Sequence, residues 1–281
     1  MNNLFLQAVQ TLAEAQIENP RLETRLIFAS VLHCYPSEIF QDISLTSPEI
    51  EKINDMLKQR IKHKPLDKIL GYREFYKYDF IVNEDVLSPR PDTEILVEAA
   101  LEILHNISNA KILDLGCGSG CIIETLLKEI PSASGCAVDI SANALKIAQK
   151  NADNLAVNEH LNFINANWFT DDFTAQIGKK FDMIVSNPPY IPSADIAVLD
   201  TEVKDYDPLL ALDGGQSGFE SYERIAQIAP KLLNNGGYIL LEAGYGQAKQ
   251  IANIFITQGF DLLKIVNDLS DIERCVVLRL K

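Results

Sequence analysis

The apolar run Phe181, Met183, Ile184 and Val185 leads into Asn187-Pro188-Pro189-Tyr190. A short run of this density reads as a buried strand. Neither proline has a backbone N–H, so ladder pairing stops there. What remains at the strand end is a set of acceptors. Asn187 offers a side-chain carbonyl, and Pro188 a main-chain carbonyl that no ladder partner claims. Two such acceptors hold the two hydrogens of a planar –NH2 group, and consecutive prolines fix the direction of the carbonyl. Tyr190 supplies a ring on which the planar group stacks. A planar nitrogen is a poor nucleophile because its lone pair is delocalised. Acceptors that favour its pyramidal form as charge develops activate it toward a carbon placed in line, about 3 Å away.

A second constellation lies upstream. Asp114-Leu115-Gly116-Cys117-Gly118-Ser119-Gly120 follows the apolar run at 112–115 and opens a helical pattern. Glycines at every second position let the backbone turn sharply and approach a ligand closely. On its own such a turn is weak evidence. The next apolar run ends in Asp139, where a carboxylate can accept both hydroxyls of a ribose. Together they indicate a nucleoside-bearing cofactor. The spacing is not the Gly-x-Gly-x-x-Gly of dinucleotide sites, and no Gly-Lys-Ser/Thr follows, which excludes a Walker loop. Trp168, the single tryptophan, follows the next apolar run in Asn165-Ala166-Asn167-Trp168-Phe169; it suits an adenine pocket or the core.

These residues need elements to position them. Residues 1 to about 70 show helical spacing: Leu4, Ala8, Leu12 and Ala15 mark one helix, Leu22 to Leu32 a second after Pro20. A third begins with Ser47 as cap, Pro48 at the first position and Glu51 near the first turn. From Tyr72 the chain turns aromatic and β-branched, with a turn signal at Asn83-Glu84-Asp85, which predicts a hairpin. Asp92 or Thr93 then caps a helix to about His105. Beyond Ala110, strands and helices alternate to the end, closing with two strands, as a mostly parallel sheet with helices on both faces requires. Ligands bind such sheets at the carboxyl ends of the strands near the switch point. Both constellations sit at such ends.

The 281 residues suffice for one large or two modest domains, and the 47% hydrophobic content excludes disorder. The formal charge of −14 disfavours a protein that grips nucleic acid unaided. Five cysteines without a Cys-x-x-Cys pair read as reduced thiols of a cytoplasmic protein, and four histidines without ligand spacing give no metal site. No apolar run is long enough for a membrane span, and the first residues do not read as a signal peptide.

The glycine turn with Asp139 resembles the class I methyltransferases, which bind S-adenosyl-L-methionine (S-adenosylmethionine). The two last strands resemble that family's closing pair, whose final strand runs antiparallel. Asn-Pro-Pro-Tyr is shared by enzymes that methylate glutamine and by those that methylate adenine, so the motif leaves both open. Residues 65–94, 206–225, Glu242 to Gln247 and the tail Asp268 to Arg279 resemble more closely the peptide chain release factor glutamine methyltransferases, the PrmC/HemK family. The similarity spans nearly the whole chain and is weakest over the first sixty residues. Ala243 stands where that family usually has a larger aliphatic, and Phe219 where it often has leucine.

The resemblance implies a seven-stranded, Rossmann-like α/β sheet preceded by a small helical domain. The helical, substrate-recognising domain would cover residues 1–71, a β-hairpin linker 72–92, and the methyltransferase domain 93–281. It implies cofactor binding by Gly116, Cys117, Gly118, Ser119, Gly120, Asp139, Trp168 and Asn187, and chemistry at Asn187, Pro188, Pro189 and Tyr190. The expected substrate is the glutamine of the Gly-Gly-Gln loop in class I release factors, methylated by a cytoplasmic monomer with no nucleic-acid or membrane partner. The alternative is an amino methyltransferase acting on adenine in nucleic acid; no base-flipping groove or target-recognition domain is visible for it. The chain's own Gly214-Gly215-Gln216 is read as coincidence.

Overall fold

A computed structural model describes residues 3–39 and 44–281; residues 1–2 and 40–43 of the expected helical domain lie outside it. The chain divides into two compact units, one running to Tyr72 and including Asp200–Tyr206, the other holding Arg73–Leu199 and Asp207–Lys281.

The first unit contains α1 (Asn3–Glu14), α2 (Pro20–Leu32), α3 (Ser47–Arg60) and α4 (Leu66–Leu70). Their apolar stripes bury Leu12, Ile27, Phe28 and Ile53 completely, with Phe5 and Phe28 edge to face at 5.3 Å. The cap of α3 is Thr46 rather than Ser47. Its N–H donates to the Glu49 carboxylate at 2.6 Å and its hydroxyl does so at 2.8 Å. That capping box puts Pro48 one position further in, where its missing N–H still costs nothing.

β1 (Tyr72–Phe75) and β2 (Tyr78–Ile81) form the hairpin, but it turns at Tyr76-Lys77, not at Asn83. Tyr76 takes a left-handed φ of +60°, a conformation without local sequence support. It is held from outside the turn, because the Tyr76 N–H donates to Glu94 at 2.8 Å. Asn83 instead accepts the Asp85 N–H at 3.0 Å in a turn that follows β2.

The second unit continues with α5 (Glu94–Leu104), β3 (Lys111–Leu115), α6 (Cys121–Glu129), β4 (Ser134–Asp139), α7 (Ala142–Leu155), β5 (Leu161–Asn165), α8 (Phe173–Ile177) and β6 (Phe181–Ser186). The chain then enters the first unit over Asp200–Tyr206 with α9 (Thr201–Lys204), and returns for α10 (Leu209–Leu212). Within the first unit this excursion is anchored by charge. Buried Arg60 pairs with Glu23 at 2.5 Å and with Glu202 at 2.7 Å, and Lys68 donates to the Tyr206 carbonyl at 2.5 Å. The chain closes with α11 (Glu220–Leu232), β7 (Leu233–Glu242), α12 (Ala248–Thr257), β8 (Phe260–Asn267) and β9 (Glu273–Leu280).

The sheet order is β5-β4-β3-β6-β7-β9-β8, parallel except for β9, which runs antiparallel to β7 and β8. Its inner strands, β3, β4 and β6, read as nearly continuous apolar runs because both faces are covered, whereas the edge strands β5 and β8 are largely exposed or half-buried. Alternate residues go to opposite cores: Ile112, Met183, Val185 and Leu240 to one, Leu113, Ile184, Ile239 and Leu241 to the other. The order reverses between β3 and β6, which lie side by side with Asp114 opposite Val185. The Ser186 hydroxyl donates to the Leu115 carbonyl at 2.6 Å and ties the two strand ends together.

Candidate active site

The glycine turn springs from β3. Gly116 N–H and Cys117 N–H both donate to the Val138 carbonyl, at 2.8 and 3.0 Å, which folds the turn back over β4. Gly116 has φ +76°, and a Cβ there would lie 3.0 Å from the Trp168 ring, so both conformation and space call for glycine. Asp139, at the end of β4, is stitched to the turn. One oxygen accepts the Gly118 N–H at 2.9 Å and the other the Ser141 N–H at 2.8 Å. Burial raises the pKa of this carboxyl and the two N–H groups oppose the shift.

Trp168 belongs to the core and to the site at once. It is buried, packs with the cluster beneath the sheet, and also lines the cavity over the glycine turn. Its indole Nε1 is buried without a partner among the described residues.

Beside this turn, β6 delivers Asn187. The Asn187 Nδ2 faces the Thr93 hydroxyl at 3.4 Å, and that hydroxyl donates to Glu242 at 2.5 Å. Thr93 occupies the N-cap position of α5, one of the two caps expected from sequence, but its side chain makes no cap hydrogen bond. No hydrogen bond to the Asn187 Oδ1 or to the Pro188 carbonyl is found among the described residues. The following loop is clamped. Tyr190 accepts from Gln247 at 3.1 Å through its carbonyl, while Ile191 exchanges main-chain bonds with Leu212 and Gly214. Gly214 packs so closely that a Cβ would sit 2.7 Å from the Tyr190 Cα. The Gly-Gly pair of Gly214-Gly215-Gln216 thus has a structural reason.

One cavity is lined by Gly116, Cys117, Gly118, Ser119, Asp139, Trp168, Asn187 and Pro189. Gly120, Pro188 and Tyr190 are not part of its wall. Thr93, Arg90 and Ile140 do line it and were not singled out from the sequence. Glu242, buried behind Asn187, was given no site role either; its signals were an acid ending the apolar run Tyr238 to Leu241 and its place in the family-like segment Glu242 to Gln247. Burial pushes the Glu242 carboxyl up to about 7, against hydrogen bonds from Thr93 and Asn187 and the charge of Arg274. Burial and the Asp139 charge push Asp114, just below the turn, up to about 8. Desolvation also raises the partly buried Tyr190, to about 12.

The wall suits an adenosyl group. Trp168 and Ile140 offer apolar surface for a flat base, Asp139 keeps free lone pairs for a diol, and the glycine turn leaves room for a small polar tail. A seven-stranded sheet with an antiparallel β9, and a glycine turn and acid at the ends of β3 and β4, define a class I methyltransferase.

Residues 91–204 match the model of the methyltransferase small domain, and residues 3–71 that of the PrmC N-terminal domain. The release factor glutamine methyltransferase of Rhodospirillum rubrum is 40% identical, over 99% of this chain and 85% of its own. That of Agrobacterium fabrum is 38% identical, over 98% and 96%. A 16S rRNA methyltransferase of T. thermophilus shares the fold, with a TM-score of 0.51 at 18% identity over 75% of this chain and 50% of its own. The chain belongs to the family of release factor glutamine methyltransferases, and S-adenosylmethionine is its cofactor.

Proposed function

We propose that the protein transfers a methyl group from S-adenosylmethionine to the side-chain amide nitrogen of the glutamine in the Gly-Gly-Gln loop of class I release factors. The observation that carries this reading is the pair of free acceptors, Asn187 Oδ1 and the Pro188 carbonyl, beside the glycine turn at the switch point. The cofactor supplies an electrophilic methyl on a sulfonium. Asn187 and Pro188 hold the two amide hydrogens and favour the pyramidal nitrogen as positive charge develops. Pro188 and Pro189 keep the carbonyl from turning away. Tyr190, whose pKa rises with burial, stays a neutral phenol and stacks on the amide plane. Once methylated, the nitrogen is acidic enough to release its proton to water, so no base is required in advance.

On the cofactor side, Asp139 accepts the ribose hydroxyls, Trp168 flanks the adenine, and Gly116 to Gly120 cradle the methionine tail. The helical unit recognises the body of the release factor. The enzyme works in the cytoplasm as a monomer; its five free thiols, four of them buried, fit a reducing compartment. Adenine methylation is not favoured, because the relatives aligned over nearly the full chain are named for glutamine.

The test is transfer of labelled methyl from the cofactor to purified release factor and, separately, to DNA. Label on the Gly-Gly-Gln glutamine, located by mass spectrometry, is the expected result. Label on DNA alone would overturn the proposal.

A further inference from the structure

Asn187 can serve as an acceptor only if its amide is turned the right way. The two ends of an Asn side chain have the same shape, so something besides packing must choose between them. The choice is visible behind it. A threonine hydroxyl has one hydrogen to give. Thr93 gives its hydrogen to the Glu242 carboxylate at 2.5 Å, so toward Asn187 its oxygen can only accept. The group facing it at 3.4 Å is accordingly the Asn187 –NH2. The Asn187 amide also lowers the Glu242 pKa slightly, so it favours the charged form. This interior contact takes the nitrogen end, and Oδ1 is left for the cavity.

We propose that Glu242 is a positioning residue that sets the Asn187 amide through the Thr93 hydroxyl, with the carboxylate as the working form. This rests on the role given to Asn187 under the proposed function.

A proton on Glu242 reverses the chain. The carboxyl then donates to the Thr93 oxygen, and the Thr93 hydrogen is released toward Asn187. An amide facing a donor turns its oxygen inward and presents –NH2 to a substrate that is itself –NH2. Two donors face each other, and transfer stops.

The groups around Glu242 leave this proton within reach of neutral pH. Arg274, from β9, is shared with Asp92 and Asp268 at 3.0 Å each, and Asp92 partly offsets its charge at Glu242. Tyr222 donates to the Glu242 main-chain carbonyl at 2.8 Å and leaves the carboxyl alone. Tyr190, Cys275 and Cys121 complete the surroundings as neutral groups whose own pKa values are raised by burial. Burial places the Glu242 midpoint at about 7 in the free protein. The carboxylate therefore predominates above that pH and the neutral acid below it.

Two readouts test the relay. The first needs no substrate. In 15N-labelled protein, the side-chain amide signals of Asn187, identified by their loss in Asn187→Ser, should titrate with one midpoint within about a unit of 7. Glu242→Gln and Thr93→Val should abolish that titration, and Thr93→Ser should keep it. The second is single-turnover methylation of release factor. The wild-type rate should fall about tenfold per pH unit below the midpoint. Glu242→Gln should be slow and flat between pH 6 and 8, with unchanged cofactor affinity. Thr93→Ser should follow the wild type.

An Asn187 amide that does not titrate overturns the proposal. So does Glu242→Gln or Thr93→Val with the wild-type acid limb intact. A purely structural Glu242 would lower the melting temperature of its variant without moving the pH profile, which also overturns it. If the amide titrates as described but the wild type methylates no glutamine, the relay stands and the proposed function fails.

Discussion

The two strand ends at the switch point are built on opposite polarities. The turn after β3 is anchored through its Gly118 N–H on a buried acid, Asp139, which also accepts the Ser141 N–H. The turn after β6 presents carbonyls and anchors its one movable member on another buried acid, Glu242, through Thr93. The partners differ in kind. Asp139 is held by backbone, which cannot reverse donor and acceptor. Glu242 is held by a hydroxyl rotor backed by an amide, and these can. A buried carboxylate is a fixed strut in one place and, in the proposed relay, a setting in the other. The lesson is that a buried carboxylate's role follows from what its partners are free to do.

Substitutions on the two sides should separate them cleanly. Asn187→Ala should cause the largest loss, about 10²–10³ in single-turnover rate, as expected for removing one acceptor from the developing charge. Cofactor affinity should fall far less; equal losses in both would merge the two ends into one site. Asp139→Ala should act the other way round. Each charge-assisted bond lost from the ribose is worth roughly 1.5–3 kcal/mol, so calorimetry should show cofactor binding weakened at least about tenfold. Unchanged affinity would remove Asp139 from the site.

Removal of residues 1–71 tests whether either end depends on the helical unit. Cofactor binding should persist and methylation of intact release factor should become poor. Equal activity of the shortened and full-length proteins would reject a recognition role for the helices. This deletion also takes Arg60 away from Glu202 and Lys68 from Tyr206, so Glu202→Gln in the full chain makes a milder check.

Asp114 offers a stability readout below the glycine turn. Its folded pKa of about 8 exceeds the ordinary 3.8, so between those values the folded chain holds a proton that the unfolded chain has lost. Stability from this group is complete below the unfolded value and declines as pH rises to about 8, by up to about 1.4 kcal/mol per pH unit. Asp114→Asn should therefore lose less stability than the wild type between pH 5 and 8, read as a smaller fall in melting temperature. Parallel curves would show that Asp114 is ionised in the folded protein.

The smallest effect concerns the approach of the substrate. A release factor loop that works among RNA phosphates needs basic surroundings, and this protein carries −14. Association should slow several-fold between low and physiological ionic strength, with less change in dissociation. A flat response would leave the charge as a solubility feature.

The fold was largely legible because the strands are buried on both faces and alternate with amphipathic helices. The antiparallel end of the sheet was legible through family resemblance, not through periodicity. Local errors came where tertiary partners decide. Tyr76 turns because Glu94 holds it, and Thr46 caps α3 because Glu49 reaches back to it. At the site, glycine spacing, an acid at a strand end and Asn-Pro-Pro-Tyr stood out because each is contiguous. Thr93 and Glu242 did not, since their hydrogen bond joins residues 149 positions apart. The excursion of Asp200–Tyr206 into the helical unit was hidden for the same reason: its anchors, Arg60 and Lys68, lie far upstream.

The side-by-side placement of β3 and β6 has a consequence during synthesis. β3 meets β4 within a few dozen residues, but its other flank waits for β6, with Leu115 and Ser186 separated by 71 positions. At about 5–20 residues per second, that flank stays unpaired for roughly 4–14 s of translation. During that time a half-built sheet of β3, β4 and β5 exposes an apolar edge, the kind that recruits other chains. The same strand that completes the acceptor pair also covers the open flank of β3.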